Sequence, residues 1–387
     1  MKKIFYGKHH IDNSDVKSVI NVLKSDFLTK GPEINKLEKK LSKKLNVKYV
    51  SVCNSGTAAL HLSLLAIDLK KNDYVVMPAI NFIASYNLCK SMGAKIILID
   101  VDELSGQMIP NQITKKIKSL KNVKIKAIIN MMHGGYPQYL KEMYKLKNTL
   151  KCHLIDDSCH ALGAEFKFKD KDYKIGSCKL SDLSTFSLHP VKSITAGEGG
   201  IVTTNNKKFY QKIVSFKEHG LERDKKKYWD YKHLNYGFNY RLSEINSALA
   251  LSQLNKLDKF VKERKRIANL YLKKLSLYKE IKFPNYEHNN KSSYHLFLIH
   301  LNFEFLKNNK DYFIKYLNSK KIYPQFHYKP IYRLDNDYRF KKKEFAGSEK
   351  YYESALSLPI YYGLKFKEQI YIIRAIINFL KFNKKNV

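Results

Sequence analysis

The chain has 387 residues, of which 44% are hydrophobic and 13% aromatic, so it carries enough apolar material to offset the entropy of folding. At about 100 to 200 residues per domain, this length indicates two or three domains. No run approaches the ~18 consecutive apolar residues of a membrane-spanning helix, and the beginning of the chain lacks the apolar stretch of a signal peptide. We therefore expect a cytoplasmic protein.

The formal net charge of +36 is typical of nucleic-acid-binding proteins, but the kind of basic residue argues against that function. Only seven of the 71 basic residues are arginines, and the lysines are spread along the whole chain. Surfaces that read bases favour arginine, whose planar group makes paired hydrogen bonds that lysine cannot make. The pattern indicates a genome-wide compositional bias, with no specific nucleic-acid partner and at most loose polyanion binding at low salt.

The five cysteines are odd in number and contain no CxxC spacing, which predicts free thiols and no metal site. These residues are Cys53, Cys89, Cys152, Cys159 and Cys178.

Short β-branched runs alternate with helical stretches through the first half of the chain. Predicted strands cover residues 49–53, 74–77, 96–99, 125–130 and 153–155, and predicted helices cover residues 57–67, 84–91 and 139–150. This alternation predicts an α/β fold with a mainly parallel central sheet. Ligands should therefore bind at the C-terminal ends of the strands.

After a further strand at 201–204 the pattern changes, with one long helix predicted over residues 243–275. A strand at 294–301 and helices at 311–319 and 368–382 follow. We expect a large domain over residues 1–240 and a smaller C-terminal α+β domain over residues 241–387, with a boundary placed within about ten residues.

The segment Asn54-Ser55-Gly56-Thr57 lies where a predicted strand ends and a helix begins. Unpaired amides in a first helical turn attract anions, and Gly56 permits the close approach of a phosphate. The alternative is an ordinary helix N-cap.

The apolar strand 154–155 leads directly into Asp156 and Asp157, with His160 three residues later. A partly buried carboxylate here could pair with a cationic ring nitrogen. The alternative is a solvated loop with a histidine whose hydrogen bonds are satisfied within the protein.

A third candidate is Lys192, the sole lysine between Lys179 and Lys207, which follows His189-Pro190-Val191 and precedes a glycine-rich turn. Most lysines lie on the surface, but these turn residues would hold Lys192 over the sheet edge. A phosphate site, a carboxylate for a ring nitrogen and a lysine for a covalent imine are the three groups that pyridoxal phosphate requires.

At this point the sequence resembles the DegT/DnrJ/EryC1/StrS family of fold-type I sugar aminotransferases along nearly its whole length. The resemblance is carried by four segments in the family's order, which are residues 25–32 (SDFLTKGP), 54–60 (NSGTAAL), 157–163 (DSCHALG) and 237–244 (GFNYRLSE). Within the family, residues 25–32, 105–108, 189–192 with 197–200, and 327–332 are most similar to the pseudaminic-acid branch. The chain keeps Lys192 where dehydratase relatives have histidine.

The resemblance implies a role for each matching residue. Lys192 matches the lysine that binds the cofactor covalently, and Asp157 matches the partner of its ring nitrogen. The other cofactor-binding positions are Gly56, Thr57 and Ser187 at the phosphate, Phe82 stacked on the ring, His160 beside it, and Asn239 reaching in from a neighbouring subunit. His327, Tyr328 and Lys329 are candidates for the sugar-nucleotide side, with a buried strand end as the alternative.

The implied activity is amino transfer from L-glutamate to C4 of a UDP-linked 4-keto-6-deoxy sugar by a homodimer with shared active sites. Two alternatives stay open from the sequence. One is an aminotransferase for another nucleotide-linked keto-deoxy sugar, and the other is a non-catalytic regulatory protein that binds pyridoxal phosphate.

Overall fold

The computed structural model describes residues 2–120, 123–224, 226–227, 229–285, 290–334 and 340–383. Helices α1 to α12 span Asn13–Leu23, Pro32–Leu45, Gly56–Ala66, Ile83–Ser91, Pro110–Lys118, Leu140–Leu150, Lys207–Lys217, Glu244–Leu254, Leu257–Leu275, Lys310–Ser319, Ala346–Ser354 and Phe366–Asn383. Strands β1 to β16 span Ile4–Phe5, Tyr49–Cys53, Tyr74–Pro78, Lys95–Ile99, Ile125–Met131, His153–Asp157, Glu165–Phe168, Lys171–Lys174, Leu183–Ser187, Gly200–Thr204, Leu221–Arg223, Tyr231–His233, Ile281–Lys282, Phe297–Leu301, Ile322–Tyr323 and Ala355–Leu358.

The central sheet has seven strands in the order β2-β10-β9-β6-β5-β3-β4. Strands β9, β6, β5, β3 and β4 run parallel, whereas β10 is antiparallel to both of its neighbours. Helices cover both faces, so the strands are buried on both sides and read as continuous apolar runs. The expected α/β fold with a mainly parallel sheet is confirmed.

The predicted strands and helices of this sheet occur with end shifts of only a few residues. The long helix predicted over residues 243–275 is wrong, because the chain turns at Asn255 and Lys256 and forms α8 and α9 instead. Helix α8 packs on α1 and α2, whereas α9 packs on α12. Packing against two different partners overrides a helical periodicity that continues through the turn.

A second, three-stranded sheet, β13-β14-β16, lies in the C-terminal part with α9, α10 and α12. Its core contains Tyr271, Phe297, Phe313 and Phe379, and it also takes in Ile4 from the beginning of the chain. Strand β1 pairs in parallel with β15, which explains that placement. The division at residue 240 stays a prediction.

None of the helices in the described ranges is long and apolar enough to cross a membrane. All five cysteines are free thiols.

The carboxylate of Asp156 should affect the stability of the protein, because it is buried without a salt bridge to any described residue. Its Oδ1 accepts a hydrogen bond from Asn130 Nδ2 at 3.2 Å, and burial raises its pKa to about 6. When an acid has a higher pKa in the folded state, the protein loses stability as the pH rises. The loss runs from the pKa of the acid in the unfolded state, near 4, through its pKa in the folded state, about 6.

We expect Asp156→Asn, which keeps an oxygen for Asn130 but carries no charge, to increase the free energy of unfolding at pH 8 by about 1–3 kcal/mol. At pH 4 the change should be small. Urea unfolding at the two pH values measures this difference, and destabilisation at pH 8 would contradict the explanation.

Candidate active site

A cavity of about 530 Å³ lies where the C-terminal ends of β6 and β9 meet the N-terminus of α3. This is the edge of the sheet at which ligands were expected. Nine of the eleven predicted site residues line it, namely Gly56, Thr57, Phe82, Asp157, His160, Ser187, Lys192, His327 and Tyr328.

At one end of the cavity, the first turn of α3 has unpaired amides. Ser55 caps the helix by accepting a hydrogen bond from the Ala58 amide at 3.0 Å. Within the described part of the chain, the amides of Gly56 and Thr57 donate no hydrogen bond. The N-cap and the anion site are therefore compatible, since the cap leaves two amides and the helix dipole facing the cavity.

Gly56 also brings α3 close to β9. A Cβ atom at this position would lie 2.9 Å from the Cβ of Ser187, a distance that real Cβ contacts do not adopt. The glycine thus allows the Ser187 side chain and the free amides to face the same small volume.

Asp157 ends β6 and is buried, and its Oδ1 accepts a hydrogen bond from the Cys159 amide at 3.2 Å. It makes no salt bridge with any described residue, and burial raises its pKa. Asp156 instead contacts Asn130 and Ser181, away from the cavity. Of the two carboxylates, Asp157 is the one that a cationic ligand atom could stabilise.

Lys192 follows a turn in which its amide donates to the carbonyl of His189 at 3.0 Å, and its side chain lines the cavity. Burial lowers the pKa of its amine, the Asp157 carboxylate opposes this shift, and the Arg264 guanidinium adds to it. The site therefore favours a neutral, nucleophilic amine.

The protonation of His160 follows from its contacts. Its Nδ1 lies 3.3 Å from the Gly134 amide, which can only donate, so Nδ1 accepts. Burial lowers the pKa of His160 well below its usual value, so the ring is neutral and its proton is on Nε2. Nε2 lies 3.0 Å from Tyr328 Oη, which therefore accepts there and keeps its own proton for another acceptor.

Phe82 has 52% of its surface exposed, and its ring centroid lies 5.7 Å from that of Tyr328. An exposed aromatic ring at a cavity wall is suited to stacking on a planar ligand. His327 is buried, with Nδ1 2.9 Å from Ser357 Oγ.

Two predicted residues lie outside this cavity. Lys329 and Asn239 are exposed, and neither lines it. Sequence reasoning missed Tyr6 and His295, which do line it. Tyr6 lies next to β1 and His295 precedes β14, so both arrive through long-range pairing that no local pattern signals.

Comparison with known proteins identifies the family of the chain. The profile of the DegT/DnrJ/EryC1/StrS aminotransferase family matches residues 9–377. The chain belongs to this family. A Campylobacter jejuni UDP-4-amino-4,6-dideoxy-N-acetyl-beta-L-altrosamine transaminase is 34% identical, over 99% of both chains.

Two other proteins are also similar to this chain. The Escherichia coli GDP-perosamine synthase is 34% identical over 71% of this chain and 72% of that protein. The structure of Helicobacter pylori PseC, an aminotransferase of pseudaminic acid biosynthesis, superposes with a TM-score of 0.89 and 27% identity, over 98% of this chain and 100% of that one.

Family membership confirms the predicted enzyme class and cofactor: the protein is a pyridoxal-phosphate-dependent aminotransferase. The cavity fits this cofactor. Two free helix amides suit a phosphate, an unpaired buried carboxylate suits a protonated ring nitrogen, and a buried lysine suits an aldehyde.

Two serines of β9 provide a matched test of the anion site. Ser187 faces the cavity, whereas Ser184 is buried with its Oγ 2.8 Å from Ser158 Oγ. We expect Ser187→Ala to weaken pyridoxal phosphate binding roughly tenfold, the effect of losing one hydrogen bond to a charged group.

Ser184→Ala should leave cofactor affinity unchanged while lowering thermal stability. Fluorescence titration of cofactor-free protein measures the affinities. Equal losses of affinity in the two variants would show that Ser187 acts only through folding.

Proposed function

We propose that the enzyme transfers an amino group from L-glutamate to C4 of UDP-2-acetamido-2,6-dideoxy-β-L-arabino-hex-4-ulose. The product would be UDP-4-amino-4,6-dideoxy-N-acetyl-β-L-altrosamine, a precursor of pseudaminic acid. The observation that carries amino transfer is the shared cavity of free amides, Asp157 and Lys192. The sugar assignment rests on the nearly full-length similarity to the C. jejuni and H. pylori proteins.

In this proposal, the residues at the α3 end bind the cofactor phosphate. Gly56 and Thr57 donate their amides, Ser187 adds its hydroxyl, and Asn239 contributes from the partner subunit. Phe82 would stack on the ring of the cofactor, and His160 would hold the ring from beside it. These contacts hold the ring in place while substrates exchange.

Bound pyridoxal phosphate supplies an electron-accepting ring that carries the amino group from the donor to the acceptor. Asp157 holds a proton on the ring nitrogen, which keeps the ring a good acceptor of negative charge. Lys192 would hold the cofactor at its aldehyde, and its neutral amine would take up the proton from the Cα of the donor. Burial assists this step, because a neutral amine is needed to take up a proton.

On the sugar side we propose His327 and Tyr328, because both line the cavity. The hydroxyl proton of Tyr328 is free for an acceptor, since His160 already donates to its oxygen. The exposed Lys329 could reach only the outer, diphosphate part of a substrate at the cavity mouth.

We propose the cytoplasm as the location, where nucleotide sugars are made.

A second candidate is amino transfer to a different nucleotide-linked keto-deoxy sugar. The similarity to a GDP-perosamine synthase supports it. That relative matches a shorter part of the chain, but its sequence identity there is 34%, the same as that of the C. jejuni protein. The site chemistry is the same in both cases.

A homodimer is part of the proposal, and the β11–β12 hairpin supports it. Apolar side chains of β12 and of the residues just after it are exposed, with 58% exposure for Tyr231, 54% for Leu234 and 88% for Tyr236. Exposed apolar clusters of this kind mark protein interfaces. Asn239 lies a few residues after the end of β12 and is also exposed, as a residue serving a partner's cavity would be in a single chain.

Variants of the two central residues test the chemistry. After borohydride reduction, mass spectrometry should find the cofactor attached to Lys192 in the unmodified protein and absent in Lys192→Ala. Lys179→Ala, which changes an exposed lysine, should behave as the unmodified protein. Asp157→Asn should keep the cofactor and lower kcat at least ~100-fold. Full activity in Lys192→Ala would exclude the proposed role.

The substrate is tested by offering L-glutamate with each of two C5-epimeric UDP-2-acetamido-4-keto-6-deoxyhexoses. We expect an aminated product, identified by mass spectrometry and NMR, from the β-L-arabino epimer. Product from the α-D-xylo epimer alone would favour the second candidate. A protein that binds the cofactor but aminates neither sugar, and whose yellow colour L-glutamate does not bleach, would be non-catalytic.

Subunit mixing tests the shared site. In a hybrid of Lys192→Ala and Asn239→Ala subunits, one of the two sites would keep both native residues. At a pyridoxal phosphate concentration too low to load Asn239→Ala subunits, we expect two nearly inactive variants to recover roughly a quarter of the original activity after denaturation and refolding together. A mixture no more active than the sum of its parts would contradict the exchange of Asn239 between subunits.

A further inference from the structure

Arg264, on α9, is a buried cation that donates its side-chain hydrogen bonds only to backbone carbonyls among the described residues. It is 2% exposed. Its Nη1 donates to the carbonyl of Ile360 at 2.7 Å and to those of Tyr294 and His295 at 3.3 Å, and its Nη2 lies 3.4 Å from the carbonyl of Val191. One guanidinium thus joins three segments that are distant in sequence.

The charge of Arg264 has no acidic partner within the described ranges. Other cations of the same region do have one, since Lys256 lies 2.8 Å from Asp15 and Arg266 lies 2.7 Å from Glu263. Burial lowers the pKa of Arg264 to about 10, so it stays protonated at neutral pH. Retaining an unpaired buried charge is costly, which suggests that the charge itself serves the site.

Each segment that Arg264 holds reaches the cavity. Val191 is bonded to Lys192, and the His295 ring lines the wall with its centroid 4.3 Å from that of His160. The Ile360 amide donates to the carbonyl of Tyr6 at 2.9 Å, and Tyr6 also lines the wall. We propose that Arg264 is a positioning residue for Lys192, which fastens the lysine loop to the opposite wall and places a positive charge behind the amine.

The electrostatic part of this proposal depends on which neighbours of Lys192 are charged. The Asp157 carboxylate opposes Arg264. The Cys159 thiol stays protonated because burial raises its pKa, and burial lowers the pKa of each neighbouring histidine, so that all four are neutral at physiological pH. These histidines are His133, His160, His295 and His327. Arg264 is then the cation that favours release of the Lys192 proton.

The inference rests on the proposed role of Lys192, and its test uses cofactor-free protein so that turnover is not required. Pulsed acetylation across a pH series, with peptide-resolved mass spectrometry, gives the pH at which Lys192 becomes reactive. We compare the unmodified protein with Arg264→Gln, which removes the charge, and Arg264→Lys, which keeps it. Lys256→Met is the control, because it removes a different cation close to Arg264 along the chain.

We expect the midpoint for Lys192 acetylation to move to higher pH in Arg264→Gln and to stay in place in Arg264→Lys and Lys256→Met. Affinity for pyridoxal phosphate should fall in Arg264→Gln alone. A folded Arg264→Gln protein with an unchanged midpoint and unchanged affinity would overturn the proposal.

Arg264→Gln could fail to fold, so hydrogen exchange in Arg264→Lys provides a second measurement. One ammonium cannot reach both Val191 and Ile360 as the guanidinium does. The Lys192 amide, which bonds to His189, should therefore exchange faster in Arg264→Lys than in Lys256→Met. Equal exchange would overturn the fastening role. Failure of the proposed function itself would appear differently, as cofactor attached elsewhere than Lys192 in the unmodified protein.

Discussion

The buried carboxylate of Asp157 is the constraint on which the rest of the site depends. A charged group removed from water without a cation is unfavourable by several kcal/mol, so the folded chain must provide enough stability elsewhere to hold it. Five parallel strands buried on both faces provide that stability and end at the same edge. The carboxylate, the lysine loop and the helix N-terminus therefore share one cavity. A cationic ring that binds there would offset the cost of burying the Asp157 carboxylate.

Much of the central sheet could be predicted from the sequence, because local periodicity reports burial on two faces. The strand at residues 49–53 was predicted with its observed bounds, as were the positions of β3, β5 and β6 within a few residues. The break between α8 and α9 could not be predicted, because no glycine or proline marks it. It depends on the different helices against which α8 and α9 pack.

The residues of the candidate site also differ in whether they could be predicted from local sequence patterns. Gly56, Asp157 and Lys192 each lie at or soon after the end of a strand of the sheet, so their convergence could be foreseen from the strand order that such folds adopt. Tyr6, His295 and Arg264 come from the chain's beginning and its C-terminal half, where their neighbours in sequence carry no sign of a pocket. Physical contact across hundreds of residues is information that a single sequence does not display.

The pairing of β1 with β15 has a consequence for how the protein is made. Strand β1 cannot pair until Ile322, the partner of Ile4, has been synthesised more than 300 residues later. Tyr6 and His327, whose ring centroids lie 5.1 Å apart in the cavity wall, belong to these two ends of the chain. Most of the sheet therefore emerges from the ribosome before this part of the cavity wall can form. Contacts of such long range also make this the slow stage of folding.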